Sequence, residues 1–149
     1  MKALSNINKF IHLPFKEKLW MGEALFYLMW YSFLIYMVPF RWWESRIGQK
    51  MQPLNEEELA LEHQDKIRKI RASVLRSNKL IGGLGKCFAI SLAIRRMLQK
   101  RGVDSTLYLG LRKEQSRRLM AHAWISCGKL LIYGGRPVPY IYTRLLAYT

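Results

Sequence analysis

The chain has 149 residues, half of them hydrophobic, and a formal net charge of +15. This length fits one domain with a sizeable core. The charge favours a negatively charged partner, such as an acidic peptide, an anionic membrane surface or nucleic acid. Charge is the only feature that favours nucleic acid, so we expect no nucleic-acid partner. Two cysteines are too few for a disulfide scaffold and we recognise no secretory signal, so we expect a cytoplasmic protein.

The first distinct element is an uncharged, aromatic-rich run over residues 24–40, with basic residues on both sides. Its length is near the lower limit of about 17 residues for a membrane span. We favour a buried helix of a globular protein. The alternatives are a helix on a membrane surface, which would make the protein membrane-associated, or a true span. Pro39 should end this helix, and Phe40, Trp42 and Trp43 should form an aromatic cluster that packs rather than binds.

A second helix is predicted to begin at Asn55, which can cap the helix before three glutamates in the first turn. A linker around Pro53 separates it from the aromatic run. We therefore predict a helical N-terminal region over residues 1–54 and a core over residues 55–149. Within the second helix, apolar residues recur at helical spacing: Ile67, Ile70, Val74 and Leu75.

A glycine-rich stretch, Gly82–Gly85, breaks the chain shortly before Cys87. The following segment, Cys87–Arg101, has the apolar spacing of an amphipathic helix, which Gly102 should end. Four basic residues are predicted to point outward near the end of this helix: Arg95, Arg96, Lys100 and Arg101.

Strands are predicted in the rest of the chain, over Val103–Leu111, Leu119–Ser126 and Lys129–Tyr133. A charged loop over residues 112–118 joins the first two strands, and Cys127–Gly128 is predicted as the turn between the last two. Helices come first and strands follow in series. This order predicts an α+β fold, with N-terminal helices and then an antiparallel sheet on which the Cys87 helix packs.

Cys87 is the candidate nucleophile because a helix N-terminus favours the reactive thiolate, and Lys86 adds positive charge. The same N–H groups can hold the oxyanion of a tetrahedral intermediate. His122 is the best candidate base, on a strand between small alanines and on the same face as Trp124. Lys86 and Trp124 are candidates for oxyanion or substrate contacts. For Cys87 or His122 taken alone, a purely structural role is the alternative.

Cys127 is interpreted as structural, because it lies at a turn without a helix terminus or a neighbouring base. Two cysteines and three histidines show no paired metal-ligand spacing. The sequence contains neither a complete phosphate-binding loop nor a dinucleotide-binding fingerprint. We therefore expect neither a metal nor a cofactor.

Several blocks of sequence carry a family resemblance: residues 85–93 (GKCFAISLA), 101–103 (RGV), 108–113 (YLGLRK), 121–124 (AHAW) and the glycine pair 134–135. They resemble the transglutaminase-like leader peptidases of bacterial lasso-peptide biosynthesis. The resemblance implies a transglutaminase-like, papain-like core and a cysteine protease that cuts the leader from a ribosomal precursor peptide. Cys87 would be the nucleophile and His122 the general base and acid. The resemblance also implies the split form, whose partners are the precursor leader, a small leader-binding protein and a separate lasso cyclase.

The chain departs from this family at one position. The family triad ends with an aspartate on the strand after the histidine, whereas here Glu114 is the last acidic residue and precedes His122. With a turn at Cys127–Gly128, Tyr133 and Gly134 would lie opposite His122. The group that orients His122 is then the Tyr133 hydroxyl, a backbone carbonyl or an acid from elsewhere, or activity is reduced. The alternative function is a non-catalytic scaffold of the maturation complex, with a vestigial Cys–His pair and a docking or membrane-surface helix.

Overall fold

The computed structural model describes residues 14–47, 61–113, 119–134 and 143–148. Within these ranges helices precede an antiparallel sheet, which confirms the predicted α+β class. The predicted helix cap at Asn55, the linker around Pro53 and most of the charged loop lie outside the described residues. The helices are α1 (Phe15–Met37), α2 (Leu61–Leu80) and α3 (Cys87–Gln99), and the strands are β1 (Thr106–Lys113), β2 (Leu119–Cys127), β3 (Leu130–Tyr133) and β4 (Thr143–Tyr148).

Helix α1 is only half buried. Pro14 precedes its first turn, and Val38 is extended, with φ −120° and ψ 127°, as expected for a residue before proline. Its buried side consists of Met21, Ala24 and Leu28, while most of its large apolar residues on the other side are exposed. None of the helices in the described part of the chain combines the length and hydropathy that a bilayer span requires.

The main core joins all three helices to the sheet. Leu28 of α1, Ile70 of α2, Ile94 of α3 and Ile125 of β2 belong to one buried cluster, and each is fully buried. Each such side chain stabilises the fold by about 1.5–3 kcal/mol relative to exposure. The predicted buried face of α2 is confirmed, since Ile70 and its helical neighbours lie in this cluster. Helix α1 is therefore part of the same packing unit as the sheet.

A partly buried cluster of ion pairs also connects α1 to the end of α3. The carboxylate of Glu23 lies 2.9 Å from Lys100 Nζ and 2.7 Å from Arg101 Nη2. The guanidinium of Arg101 also lies 4.6 Å from the ring centre of Trp20. Burial would raise the pKa of Glu23, but the hydrogen bonds from Arg101 and Lys100 outweigh it, so the pKa is lowered.

Arg95 corrects one prediction about α3. It was predicted to point outward, but it is 2% exposed, whereas its neighbour Arg96 is exposed. The reason is that α3 packs on α1, α2 and the sheet, so its buried face is wider than the apolar stripe alone. Burial lowers the pKa of Arg95, with a small opposing influence from Tyr31. Its guanidinium nitrogens have no hydrogen-bond partner among the described residues.

The predicted aromatic cluster is confirmed in part. Phe40 and Trp43 pack against each other and against Phe88 of α3, with ring centres 5.3–5.9 Å apart. The Trp43 indole donates a hydrogen bond to the Val38 carbonyl at 3.3 Å. Trp42, however, is 69% exposed and lies outside the cluster.

The sheet has the strand order β3-β2-β1-β4, and all pairs are antiparallel. Strand β1 begins at Thr106 and not at the predicted Val103. The Val103 N–H bonds instead to the carbonyl of Leu98 at 3.1 Å, so this residue completes the end of α3 and fills the core. Strand β4 was not predicted as a strand. Its partner β1 lies some thirty residues earlier in sequence, so no local turn signal marks the pairing.

The β2–β3 hairpin differs from the prediction by one residue. Cys127 still belongs to β2 and pairs with Leu130, so the turn consists of residues 128 and 129, with φ 52° at Gly128. A bulge then shifts the register, because Ser126 pairs with Leu131 whereas Ile125 pairs with Tyr133. Tyr133 therefore lies opposite Ile125, and not opposite His122 as predicted.

Candidate active site

The loop before Cys87 is held in place by the side chain of Asn78 at the end of α2. Its amide oxygen accepts the Gly85 N–H at 2.9 Å, and its amide nitrogen donates to the Gly85 carbonyl at 3.3 Å. A Cβ at Gly85 would lie 2.6 Å from the Asn78 oxygen, so a larger residue would displace the Asn78 side chain from these hydrogen bonds. The paired bonds set the point from which α3 begins, and thereby the position of Cys87. Sequence reasoning missed Asn78, because nothing in the sequence marks its side chain as a partner of Gly85.

Cys87 is the first residue of α3, as predicted. The preceding residue, Lys86, occupies the cap position and makes no side-chain cap hydrogen bond, since a lysine side chain has no acceptor. The first N–H groups of the helix and its positive dipole end therefore lie beside the Cys87 sulfur. This is the environment that stabilises a thiolate and an oxyanion.

Cys87 and His122 line one cavity of about 390 Å³. Both side chains are partly exposed, so the cavity is open to a ligand. Its walls are otherwise almost entirely apolar and come from the end of α1, the aromatic cluster and strand β1: Ile35, Val38, Phe40, Trp43, Phe88 and Leu109. The structure thus brings the two predicted catalytic residues together at an apolar cavity.

A backbone carbonyl orients the His122 ring. The Nε2 atom of His122 lies 3.1 Å from the carbonyl oxygen of Gly134. A carbonyl only accepts hydrogen bonds, so Nε2 carries the proton, and in the neutral ring the basic lone pair is on Nδ1. On the neighbouring strand β1, Gly110 pairs with His122 and Tyr108 pairs with Trp124.

Gly134 owes its position to close packing on β2. A Cβ at Gly134 would lie 2.3 Å from Trp124 Cβ and 3.1 Å from Trp124 Cα, and the residue has φ +123°. Only glycine fits such a contact with a neighbouring backbone. The bulge in β3 brings Gly134 to this point, and with it the carbonyl that holds His122.

Comparison with known families agrees with this geometry. The family model of the transglutaminase-like superfamily matches residues 34–147. The chain belongs to the transglutaminase-like superfamily. This superfamily includes cysteine peptidases, and the match covers Cys87, His122, strands β1 to β3 and all but the last residue of β4. No curated protein and no solved structure gave a significant match to the chain.

The family resemblance implies an aspartate beside His122, whereas the structure places the Gly134 carbonyl there. Tyr133, the candidate third member, packs its side chain against the main core. Burial raises the pKa of Tyr133, the negative charge of a Cys87 thiolate raises it further, and Arg71 lowers it. The role of Tyr133 as a third catalytic member stays a prediction.

The other predicted residues have different surroundings. Trp124 is 3% exposed and stacks on Tyr108 with ring centres 5.5 Å apart. Lys86 is exposed beside Cys87, and the substrate contacts predicted for Lys86 and Trp124 stay predictions. Cys127 is buried in the core, and burial raises its pKa to about 12, with a smaller contribution from Asp104. A thiol of this kind stays protonated near neutral pH, in line with a structural role.

His122 also lines a second cavity, of about 570 Å³. Its walls include Gln64, Arg68 and Arg71 of α2 and the edge strand β3. Arg71 Nε donates a hydrogen bond to the Ile132 carbonyl at 2.8 Å, which fixes α2 against this edge. The site in this member of the superfamily thus has an apolar side and a positively charged side. Within the described residues, no group of His, Cys, Asp and Glu side chains could hold a metal ion.

Proposed function

We propose that this chain is a cysteine peptidase that removes the leader from a ribosomally made lasso-peptide precursor. One observation carries the proposal: Cys87, at the N-terminus of α3, and His122, oriented by a carbonyl, line the same cavity. The resemblance of the blocks around these residues to lasso leader peptidases supports the substrate class. The split form would act with a small leader-binding protein and upstream of a lasso cyclase.

In the first half of the reaction, Nδ1 of His122 takes the proton of the Cys87 thiol, and the sulfur attacks the carbonyl carbon of the scissile peptide bond. The negative charge that develops on the carbonyl oxygen is stabilised by the first N–H groups of α3. The C–N bond then breaks, and the His122 imidazolium gives its proton to the leaving amine. The core peptide leaves with a free N-terminus, and the leader remains bound as a thioester.

In the second half, His122 takes a proton from a water molecule, which attacks the thioester carbonyl. The C–S bond breaks, the leader leaves as a carboxylic acid, and the His122 imidazolium returns its proton to the Cys87 thiolate, which restores both residues. The Gly134 carbonyl has a role in both halves, because it holds the ring and stabilises the imidazolium through the Nε2–H. A neutral carbonyl stabilises this charge less than the carboxylate of a full triad does. We therefore expect a slower enzyme than one with the aspartate.

The two cavities suggest how the peptide lies. An extended segment that crosses His122 would place one side chain in the apolar cavity beside Cys87 and a neighbouring segment in the cavity beside Arg68 and Arg71. The second segment would be acidic, because opposite charge favours its approach to two arginines. The net charge of +15 extends this attraction over a larger part of the surface.

The test is cleavage of the precursor by this chain together with its leader-binding partner, followed by mass spectrometry. Cys87→Ala and His122→Ala should each lower the rate by at least roughly 10³-fold. Cys127→Ala is the matched control, since it removes the other cysteine without touching the cavity, and it should cleave at nearly the wild-type rate. Undiminished cleavage by the Cys87→Ala protein would overturn the assignment of the nucleophile. Precursor binding without cleavage by the wild type would favour the non-catalytic scaffold.

A further inference from the structure

Helix α1 has an exposed apolar stripe along its whole length. The spacings between its members, of one to seven residues, place them on one face of the helix. They are between 48% and 69% exposed: Leu19, Phe26, Met29, Trp30, Phe33 and Met37. From residue 15 to residue 37 the helix is about 33 Å long. A continuous exposed apolar stripe on a helix marks a surface that binds another protein or a membrane.

The charges around the stripe favour a negatively charged binding partner. Both acidic residues of α1 turn toward the protein and are paired there. Glu17 lies 3.2 Å from Arg76, and Glu23 bonds to the two cations at the end of α3. Lys16 at one end of the stripe, and Arg41 and Arg46 beyond the other, are exposed. The stripe is therefore apolar along its middle and positively charged at both ends.

The residue types favour lipid over a protein partner. Trp30 and Tyr36 are of the types enriched where a bilayer meets water, and Tyr36 is 64% exposed near the end of the stripe. A helix that lies in the membrane–water boundary has this combination of an apolar face and flanking cations.

We propose that α1 docks this protein on an anionic phospholipid surface through the apolar stripe. Trp42, which is 69% exposed just beyond the helix, extends the contact. The opposite side of the same helix end, at Ile35 and Val38, lines the cavity with Cys87. Docking would therefore hold that cavity beside the membrane surface. The proposal goes beyond the peptidase function and does not depend on catalysis by Cys87.

The test is flotation of the full chain with vesicles, either of phosphatidylcholine alone or of phosphatidylcholine mixed with phosphatidylglycerol. We expect binding to the mixed vesicles, part of which persists at high salt because apolar burial is not screened. The double substitution Trp30→Ser and Phe33→Ser leaves every charge in place. It should lower the partition coefficient by roughly 10- to 100-fold and leave only salt-sensitive binding. Leu84→Ser is the matched control, since Leu84 is 68% exposed but lies outside the stripe, and it should bind like the wild type.

Two results would overturn the proposal. One is equal partition of the double variant and the wild type into the mixed vesicles. The other is a wild-type protein that does not float but self-associates, or binds the leader-binding protein, through the stripe. The stripe would then bind a protein and not a lipid surface. Circular dichroism of the double variant should match the wild type, because both side chains are exposed. The Cys87→Ala protein should float normally, so failure of the proposed peptidase function would leave this result unchanged.

Discussion

Gly134→Ala tests whether the Gly134 carbonyl orients His122. The added Cβ would lie 2.3 Å from Trp124 Cβ, and the backbone at φ +123° disfavours any L side chain. Carbon atoms in contact need about 3.5 Å, so the strand end must move by roughly 1 Å. This movement would lengthen the present 3.1 Å hydrogen bond beyond its effective range. We expect a fall in kcat of about 100-fold for such a misplacement of a catalytic group, and a loss of about 2–4 kcal/mol in the free energy of unfolding.

The matched control is Gly102→Ala. Gly102 also has a positive φ, +69°, but a Cβ there would have no atom within 4 Å, and the residue lies away from the site. Gly102→Ala should lower the free energy of unfolding by about 1–2 kcal/mol, because alanine is disfavoured in the left-handed backbone region. It should leave kcat unchanged. The assay is the initial rate of precursor cleavage at a temperature where circular dichroism shows both variants to be folded. A folded Gly134→Ala protein with the kcat of the control would refute the role of the carbonyl.

Three further predictions follow from the packing. Iodoacetamide at neutral pH should modify Cys87 and leave Cys127 unmodified until the chain unfolds, as read by peptide mass mapping, because burial raises the pKa of Cys127 to about 12; equal labelling of both in the native chain would contradict this. Leu28→Ala should cost about 2–5 kcal/mol in one cooperative thermal transition, since Leu28 is fully buried in the shared core. The control is Met29→Ala, at the exposed neighbouring position, which should lower the free energy of unfolding by under about 0.5 kcal/mol. A separate early thermal transition of α1 would argue against a common core. The lowered pKa of Glu23 stabilises the fold above the unfolded-state pKa, and this stabilisation is lost as pH falls through the folded-state value; Glu23→Gln should therefore flatten the acid limb of a stability–pH curve, and an unchanged limb would contradict the ion cluster.

Local sequence patterns determined much of this protein. Apolar residues at helical spacing are enough to predict α2 and α3, because a helix must bury one face whatever it packs against. A glycine-rich break followed by an apolar-periodic run predicts that Cys87 begins a helix. Alternation around His122 predicts a strand with His122 and Trp124 on one face. Each of these features depends on residues within a few positions of one another, so it can be found without the fold.

Only the tertiary structure decided which group holds His122. The predicted hairpin places both Tyr133 and Gly134 opposite His122, and it leaves the Tyr133 hydroxyl and a backbone carbonyl as alternatives. In the structure a one-residue shift of the turn and a bulge in β3 pair Tyr133 with Ile125, and the Gly134 carbonyl lies 3.1 Å from His122 Nε2. A bulge is selected by packing between strands, here by the close contact of Gly134 with Trp124, and it leaves no mark in the local pattern. The same limit applies to Asn78, because its bond to Gly85 exists only after α2 and α3 have packed. Side-chain type and periodicity can be read from neighbouring residues. Strand register and contacts such as that of Asn78 with Gly85 depend on where distant segments of the chain meet.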